Sequence, residues 1–353
     1  MKILHTSDIH LDSAMHGDPE KAKIRRAELL TAFSRLVDYA KKEGADAVII
    51  AGDLFDRGKI TSKVRRFVID TIKSCEDVQF FVLFGNHDAG CFSFFDELPK
   101  NVKVFTSGWE YFDLGEVVIC GIELNGENCE KLYGELALDP SRVNIAVMHG
   151  AISSVCGEDN INLKLLEDKG IDYLALGHYH SYSEGALDRR GKYAYCGCLE
   201  GRGFDECGEK GFCVLDIDGG VIKTRFVKNS VREIVEVEAT FELGDSFTEQ
   251  KEKILAALEG VDRSSVVRVR VGGKMRPSDT KFFDQIKSEL DGVWFSFDIK
   301  DKTEILIDRA DYAGDVSLKG EFVRLVASKV KNTEEQNKII ACGLAALMGG
   351  ELE

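Results

Sequence analysis

Five apolar segments of the chain each end in aspartate, asparagine or histidine, and this recurrence constrains the fold more than any other feature. The segments are KILHTSDIH, AVIIAGD, FFVLFGNHD, NIAVMHG and YLALGHYH. Continuous apolar runs of this length are typical of strands buried on both faces, as in layered α/β proteins. In such proteins the loops at the carboxyl ends of the strands meet at one crevice. We therefore expect the polar groups that follow these strands to lie close together.

The donors expected at this crevice are carboxylates, an amide and imidazoles, without a thiolate. They are Asp8, His10, Asp53, Asn86, His87, Asp88, His149, His178 and His180. This mixture suits Mn²⁺, Fe²⁺ or Zn²⁺ better than the all-oxygen sites of Mg²⁺ or Ca²⁺. Each motif alone is weak, because such short polar sequences also occur in ordinary turns. The joint pattern is stronger, since five of the seven histidines follow predicted strands. For His5 and His16 we expect only packing and exposure.

Helix and hairpin patterns connect these segments. Apolar residues recur at helical spacing over residues 20–43, and a second helix is predicted over about 61–75. Hairpins are predicted at Gly115 and at Asp218-Gly219-Gly220, where turn residues separate two apolar stretches. The first part of the chain thus has the order of predicted strands and helices that is typical of a layered α/β domain.

The pattern changes near residue 230. From there strands alternate with helices over residues 246–258 and 278–290, which predicts a compact β-α-β-α-β unit. Two further helices are predicted over about 317–330 and 333–348. We therefore divide the chain into a first domain of residues 1–229, a small α/β domain of residues 230–316 and a C-terminal helical segment of residues 317–353.

The composition is that of a globular protein with an acidic surface. The formal net charge of -15 argues against tight nonspecific binding to bare nucleic acid. Bound cations and local basic patches can nevertheless reverse the field near a site. No apolar run reaches the roughly 18 residues that a membrane helix needs. The N-terminal sequence MKILHTSDIH also has no signal-peptide core. We therefore expect a cytoplasmic protein without membrane association.

The chain has ten cysteines, and four of them are grouped within 18 residues. These are Cys196, Cys198, Cys207 and Cys213. A structural zinc site usually contains pairs of cysteines separated by two to four residues, and this spacing fits that pattern poorly. We expect reduced and mostly buried thiols that pack as small apolar groups, and metal binding by them is the weaker alternative.

The polar motifs at the strand ends resemble the signature of the calcineurin-like metallophosphoesterases across roughly residues 1–215. The matching motifs occur in the family's order: Asp8-x-His10, Gly52-Asp53, Gly85-Asn86-His87-Asp88, His149-Gly150 and Gly177-His178-x-His180. Within that family, the sequences HTSDIHLDSAMHG, AGDLFD and YCGCLEGRGFDECGEKGF are similar to the DNA-repair exonuclease branch of the SbcD and YhaO type. The resemblance implies a layered β-sandwich flanked by helices, with a small α/β capping domain and C-terminal helices.

The resemblance also implies a site for two divalent metal ions, with Mn²⁺ the expected ion and iron or zinc the alternatives. Asp8, His10 and His180 would hold the first ion, Asn86, His149 and His178 the second, and Asp53 would bridge the two. Two such ions activate water and neutralise the charge that develops on phosphate. His87 would protonate or stabilise the leaving oxygen, and Asp88 would orient the His87 ring.

The family resemblance implies the reaction more firmly than the substrate. The first hypothesis is a DNA exonuclease with some endonuclease activity, acting in DNA repair with an SbcC-like coiled-coil ATPase that docks on residues 317–348. A homodimer is a further expectation of the family. The second hypothesis is a phosphoesterase for nucleotides or cyclic nucleotides. Candidate contacts to a DNA backbone are Arg25, Arg26, Arg65, Arg190 and Arg202, each of which can equally belong to a solvated face.

Overall fold

The chain folds into two compact units, Met1–Glu233 and Ile234–Glu353. The computed structural model describes residues 1–15, 17–56, 60–88, 98–276, 279–306 and 312–347. His16, one of the two histidines predicted to lie outside the site, falls outside these described residues. The boundary between the units lies close to the change of sequence pattern near residue 230, and the C-terminal helices belong to the second unit.

The first unit contains fourteen strands and three α-helices among its described residues. The strands are β1 (Lys2–Thr6), β2 (Ala47–Ala51), β3 (Gln79–Leu83), β4 (Val102–Val104), β5 (Glu110–Leu114), β6 (Val117–Gly121), β7 (Val143–His149), β8 (Ala151–Ile152), β9 (Asn160–Ile161), β10 (Tyr173–Gly177), β11 (Ser183–Ala186), β12 (Lys192–Tyr195), β13 (Gly211–Asp218) and β14 (Val221–Lys228). The helices are α1 (Pro19–Lys42), α2 (Ser62–Lys73) and α3 (Leu132–Glu135).

Twelve of these strands form two six-stranded sheets, and the small β8–β9 pair stands apart. The first sheet has the order β14-β13-β1-β2-β3-β4, and the second has the order β11-β12-β10-β7-β6-β5. Apolar residues from both sheets pack in one cluster that includes Ile49, Phe81, Ile145 and Ala175. Alternate residues of the same strands, such as Ile50, face a second core instead. The predicted β-sandwich with helices on its outer faces is therefore confirmed.

Helix α1 covers the outer face of the first sheet. The Asp18 side chain caps its first turn by accepting a hydrogen bond from the Lys21 backbone N–H, and Pro19 occupies the first helical position. Leu29, Phe33 and other residues of one helical stripe pack on the sheet together with residues of α2. Both helices lie where the apolar spacing predicts them, within one or two residues at each end.

The strands that carry the polar motifs lie side by side at the centre of each sheet. In the first sheet β1, β2 and β3 are parallel neighbours, and in the second sheet β7 and β10 are parallel neighbours. Their carboxyl ends consequently lie together at one edge of the sandwich. The two predicted hairpins are also confirmed: β5 pairs with β6 around Gly115, and β13 pairs with β14 around Gly219 and Gly220.

The second unit begins with the predicted β-α-β-α-β arrangement. Its elements are β15 (Ile234–Phe241), α4 (Phe247–Ala257), β16 (Val266–Met275), α5 (Phe283–Glu289), β17 (Ser296–Asp301) and the short β18 (Glu304–Ile305). β15, β16 and β17 are parallel, and β18 pairs with the end of β16. One face of this sheet packs against both helices through Val267, Val269 and Val271. Helix α5 begins several residues after the predicted start at 278.

Two helices follow the small sheet, α6 (Leu318–Lys329) and α7 (Thr333–Leu347). They pack on each other through a small cluster that contains Val323, Val326, Ile340 and Leu344. Other apolar residues predicted for this segment stay exposed. Leu325 is 53% exposed, Ile339 37% and Leu347 39%. The pair of helices thus buries only part of its apolar surface within the chain. In the part of the chain that the structure describes, no helix has the length and apolar character needed to cross a membrane.

The core between the two sheets predicts a large cost for Phe81→Ala. Phe81 is 1% exposed and packs between the Phe105 and Phe112 rings. Removing a buried phenyl ring costs about 3–5 kcal/mol. We therefore expect the unfolding free energy of the first unit to fall by about that amount in chemical denaturation. The control Val221→Ala, at a side chain 59% exposed, should change it by less than about 0.5 kcal/mol, and an equal effect of both changes would contradict the assigned core.

Candidate metal centre

The backbone is strained at four of the residues that follow the central strands. Asp8, His10, Asp53 and His178 have positive φ angles of 50°, 49°, 53° and 112°. Residues with a Cβ rarely adopt this region, and the cost is about 1–3 kcal/mol each. Such strain is retained where surrounding contacts fix it, often at functional sites. Because the strained residues are grouped at the strand ends, we infer that the loops are constrained in order to position these side chains.

Hydrogen bonds between the loops hold this strained arrangement. The Asp8 N–H donates to Gly52 O at 3.0 Å, and the His10 N–H donates to Asp53 O at 3.0 Å. Across the sandwich, the His178 N–H donates to both oxygens of the Asp8 carboxylate at 3.1 Å. The loops of the first sheet are thus joined to each other and to a loop of the second sheet.

Two glycines make room for these side chains. Gly52 has a φ of +93°, and a Cβ there would lie 2.0 Å from His149 Nδ1. A Cβ on Gly85 would lie 2.2 Å from an oxygen of the Asp53 carboxylate. Neither position can accept a larger residue without moving a site side chain. This explains why glycine precedes the polar residue in both motifs.

A first group of donors consists of Asp8, His10 and His180. One ligand atom of each lies within 4.8 Å of the others. His10 Nε2 is 3.2 Å from His180 Nε2, and His180 Nε2 is 3.7 Å from Asp8 Oδ1. These are the three residues that the family resemblance assigns to one ion. Ligand atoms at these distances from one another can bind a single ion that lies between them.

A second group consists of Asp8, Asp53 and His149, again with ligand atoms within 4.8 Å of one another. Asp53 Oδ2 lies 3.4 Å from His149 Nε2 and 3.8 Å from His10 Nε2. A single carboxylate oxygen therefore reaches a histidine of each group. The bridging role expected of Asp53 requires such a position.

His178 and Asn86 lie at the edge of the second group. The His178 ring meets the His149 ring edge to face, with centroids 5.4 Å apart. Asn86 begins the short 3-10 helix Asn86–Asp88 that follows β3, and it is exposed. His178 thus lies beside His149 while His180 lies beside His10. The two histidines of one short motif separate into different groups, and the assignment of each to an ion stays a prediction.

Electrostatic effects differ between the two groups. Burial disfavours the charge of Asp53, but the close approach and charge of His149 outweigh it and hold the pKa of this carboxyl below its usual range. Burial also opposes a charge on His149, yet Asp53 raises the pKa of that ring to about 9. A cation at His149 must therefore displace a proton, because only the neutral imidazole is a ligand. At His10, burial and the charge of Arg202 lower the pKa to about 3, so this ring is neutral.

The donor set fits divalent cations. His149 Nε2 is buried and has no hydrogen-bond partner among the described residues, and it points towards Asp53. Because Asp53 raises the pKa of this ring, Nε2 carries a hydrogen that faces the carboxylate, and a divalent cation could take the place of that hydrogen. Asp8, His10, Asp53, His149 and His180 could together hold cations through oxygen and imidazole donors. No thiol belongs to the candidate metal groups found among the described residues.

His87 is held by Asp56, not by Asp88 as expected from sequence. His87 Nδ1 lies 3.0 Å from Asp56 Oδ1, and Asp56 Oδ2 accepts a hydrogen bond from Ser13 at 2.7 Å. The His87 N–H donates to Asp53 at 3.0 Å, which fixes the residue beside the metal centre. The His87 side chain is 30% exposed, so the ring is partly accessible from solvent. The interpretation of Asp88 as the orienting residue was wrong.

Asp88 has a structural role. Its buried carboxylate accepts hydrogen bonds from the backbone N–H groups of Leu54, Phe55 and Gly85. Burial raises the pKa of this carboxyl to about 7, against the effect of these three donors. Asp88 therefore ties the loop after β2 to the loop after β3. The tie supports the site, but the carboxylate contacts neither His87 nor any candidate ligand.

Three of the five predicted DNA contacts, Arg25, Arg190 and Arg202, are paired with carboxylates of the protein. The interpretation of Arg25 was wrong, because this side chain is buried and paired with Glu28 and Glu200. It lies on the inner stripe of α1, not on a solvated face. Arg190 binds the Asp172 carboxylate and two backbone carbonyls. Arg202 lies at the metal centre, but its guanidinium is paired with Glu206.

The remaining two candidate contacts lie on the first two helices. Arg26 is exposed on α1, and Arg65 is half-buried on α2. Contact of either side chain with a DNA backbone stays a prediction.

The grouped cysteines include three that are buried as thiols. Burial raises the pKa of Cys196 and Cys198 well above the usual value, and it raises that of Cys213 to about 12. Cys196 Sγ lies 3.1 Å from Ser7 Oγ, next to Asp8. These thiols pack beneath the site, as expected of small apolar groups.

Sequence reasoning missed three residues of the site: Ser13, Asp56 and Glu206. Asp56 is the second aspartate of the AGDLFD sequence, so its spacing after Asp53 was a usable signal. Glu206 lies 2.7 Å from His180 Nδ1, but it follows His180 by 26 positions in a loop. No local pattern predicts such a contact.

Comparison with known proteins agrees with this geometry. The calcineurin-like phosphoesterase family matches residues 1–182, more than half of the chain. The metallophosphoesterase YhaO of Bacillus subtilis, described as uncharacterized, is 28% identical over 249 residues, which cover 64% of this chain and 60% of YhaO. The DNA double-strand break repair protein Mre11 of Sulfurisphaera tokodaii is 27% identical over 202 residues, 53% of this chain and 51% of Mre11.

The chain covers less than two thirds of the length of either relative. Among solved structures, a dimetal phosphatase from Danio rerio is similar over 65% of this chain and 99% of the phosphatase, with 9% identity and a TM-score of 0.45.

The different contacts of Asp56 and Asp88 predict different effects of their removal. Asp88→Ala leaves three backbone N–H groups without their acceptor, and each such group costs about 1–3 kcal/mol. We expect chemical denaturation to show a loss of at least about 2 kcal/mol. Asp56→Asn should leave stability nearly unchanged but lower kcat about tenfold or more, because His87 loses its charged partner. A normal kcat in Asp56→Asn would show that Asp56 does not position His87.

Proposed function

The chain belongs to the calcineurin-like phosphoesterase family, and from this membership we propose that it is a two-metal phosphodiesterase that cleaves DNA. Members of the family are metal-dependent phosphoester hydrolases, which gives the class of the reaction. The proposal depends above all on one observation. Two groups of carboxylate and imidazole donors share Asp8, and Asp53 lies between their histidines.

In the proposed hydrolysis, one set of residues binds the metal ions and another residue transfers a proton. Bound divalent ions supply an activated water and neutralise charge on phosphate. Asp8, Asp53 and the histidines of the two groups, together with His178, would hold those ions in the strained loops. The His87 ring lies against the His10 ring, with centroids 4.9 Å apart, and Asp56 fixes its Nδ1. His87 can therefore donate a proton to the leaving oxygen.

DNA is the proposed substrate because relatives of this chain act in DNA repair. Several curated relatives, including those from Sulfurisphaera tokodaii and Aeropyrum pernix, are named as DNA double-strand break repair proteins. We propose a 3′–5′ exonuclease with endonuclease activity, and Mn²⁺ as its ion. Arg26 and Arg65 are the remaining candidate contacts to the DNA backbone.

A partner would explain how so acidic a chain binds DNA. The net charge of -15 opposes DNA binding by the chain alone. We propose an SbcC-like coiled-coil ATPase as the partner, docked on α6 and α7. The exposed apolar side chains of Leu325, Ile339 and Leu347 support this choice of surface. A homodimer remains a further proposal from the family.

The alternative is a phosphoesterase that acts on nucleotides or cyclic nucleotides at the same centre. It needs no DNA contacts and no partner, and the acidic surface favours it. Linear duplex DNA and a generic aryl phosphodiester, each assayed with Mn²⁺, distinguish the two functions. Release of nucleotides from DNA supports the nuclease. Turnover of the aryl ester alone would contradict it. Asp53→Asn should abolish either activity and serves as the control for a contaminating nuclease.

Asp53→Asn and His87→Asn should both lose turnover but differ in metal content. Asp53→Asn removes the carboxylate that lies between His10 of the first group and His149 of the second, so we expect loss of bound metal together with activity. His87→Asn removes only the proposed proton donor, so we expect normal metal content and a loss of turnover of about 10²–10⁴-fold. Elemental analysis beside the nuclease assay checks both. Loss of metal from His87→Asn would mean that His87 is itself a ligand.

A further inference from the structure

One segment of the first unit contacts both the ring and the backbone of His180. We call residues 198–210 the support segment. Four of its side chains contact His180: Glu206 and Arg202 at the ring, and Lys210 and Cys198 at the backbone carbonyl. Arg202 Nη2 lies 3.5 Å from His180 Nδ1. Glu206 Oε1 lies 2.7 Å from the ring nitrogen Nδ1. Lys210 Nζ donates to the His180 carbonyl at 2.7 Å, and the Cys198 thiol lies 3.5 Å from the same oxygen. Both the ring and the backbone of His180 are therefore fixed by this segment.

Glu206 faces only protein. Its side chain is 2% exposed, so water does not compete for its carboxylate. A carboxylate at Nδ1 requires a hydrogen on that nitrogen, and the lone pair of the neutral ring then lies on Nε2. Nε2 is the atom that faces His10 Nε2 at 3.2 Å and Asp8 Oδ1 at 3.7 Å. Glu206 thus selects the form of His180 that can bind a cation.

Arg202 connects Glu206 to the residues that hold His87. Its Nε and Nη2 atoms donate to Glu206 Oε1 at 3.0 and 2.6 Å, and its backbone N–H donates to Glu206 Oε2. Nη1 lies 3.5 Å from Ser13 Oγ and 3.9 Å from Asp56 Oδ2. One arginine therefore lies between two carboxylates, each of which contacts Nδ1 of a different histidine.

We propose that Glu206 and Arg202 are positioning residues of the metal centre. Glu206 holds His180 with Nε2 towards Asp8 and His10. Arg202 holds Glu206 in place and links it, beside Ser13, to the Asp56–His87 pair. This inference depends on the proposed function only through the roles of His180 and His87. It replaces the expectation that Arg202 contacts the DNA backbone.

The surroundings of Arg202 favour positioning over phosphate binding. Its side chain is 18% exposed, and the edge of the guanidinium formed by Nε and Nη2 already binds Glu206. A bidentate phosphate contact through this edge would need these donors to turn towards solvent. That movement would leave the buried Glu206 carboxylate without its cation, which is strongly unfavourable.

Glu206→Gln tests the first part of the proposal without any substrate. The amide keeps the shape of the side chain but removes the charge that pairs with Arg202 and His180. Calorimetric titration of the metal-free protein with Mn²⁺ should show one binding step weakened by about 10–100-fold, the usual effect of losing such a partner. The step assigned to His149 and His178 should change much less.

Glu200→Gln is the matched control. Glu200 belongs to the same support segment, is 1% exposed and pairs with an arginine, Arg25, at 3.0 Å. It contacts α1 and the Val231 backbone, and no candidate ligand. We expect this variant to lose stability and to keep the Mn²⁺ affinity of the wild type. Equal loss of affinity in both variants would mean that any damage to the segment weakens the site, and would overturn the assignment to Glu206.

Glu206→Asp keeps the experiment decisive if Glu206→Gln fails to fold. The shorter side chain retains the charge for Arg202 but withdraws from His180 Nδ1, so the same binding step should weaken. Unchanged Mn²⁺ affinity in a folded Glu206 variant overturns the proposal. Because the titration contains no DNA, a wild type that binds two Mn²⁺ ions and leaves DNA intact would contradict only the nuclease proposal.

Arg202→Met tests the second part. We expect kcat to fall together with Mn²⁺ affinity, while KM for DNA and its dependence on salt change little. A double-mutant cycle with Asp56→Asn should show non-additive losses in kcat, because both changes act on His87 through one chain of contacts. A raised KM, a weaker salt dependence and normal Mn²⁺ affinity would instead identify Arg202 as a phosphate contact, and additive losses would exclude the link to His87.

Discussion

The hydrogen bonds from the His178 N–H to the Asp8 carboxylate join the two sheets at the point where the site is built. Asp8 follows β1 of the first sheet, and His178 follows β10 of the second. The bond from His149 Nδ1 to Ala51 O, at 2.9 Å, makes a second link of the same kind. The metal centre therefore depends on the packing of the sandwich. Any shift between the sheets would separate the donors within each group.

The site contains several features that lower the folding stability, and a role in function explains why they are retained. Four residues of the site have positive φ angles, charged groups are buried, and His149 Nε2 makes no hydrogen bond to a described residue although the Asp53 carboxylate lies 3.4 Å away. Each of these features lowers the free energy of unfolding. The surrounding core, with apolar residues fully buried on both faces of β2, supplies the stability that holds them. A divalent cation could bind His149 Nε2 in place of its hydrogen, together with the facing carboxylates.

The strand-end histidines and aspartates were predictable because buried parallel strands have a strong pattern and a fixed geometry at their ends. The contacts of individual carboxylates were not. Asp88 adjoins His87 in sequence, yet the 3-10 turn directs it at three backbone N–H groups, and Asp56 reaches the ring instead. Arg25 looked like part of a basic patch, but helical phase places it on the inner stripe of α1. Glu206 reaches His180 across a loop that no periodicity describes.

The proposed metal centre requires two cations, one on either side of Asp53. Anomalous diffraction from crystals soaked in Mn²⁺ tests this most directly. We expect two peaks about 3.5–4 Å apart, with Asp53 between them, one beside His10 and His180 and the other beside His149 and His178. A single peak, or a peak held by His87 and Asp56, would contradict it.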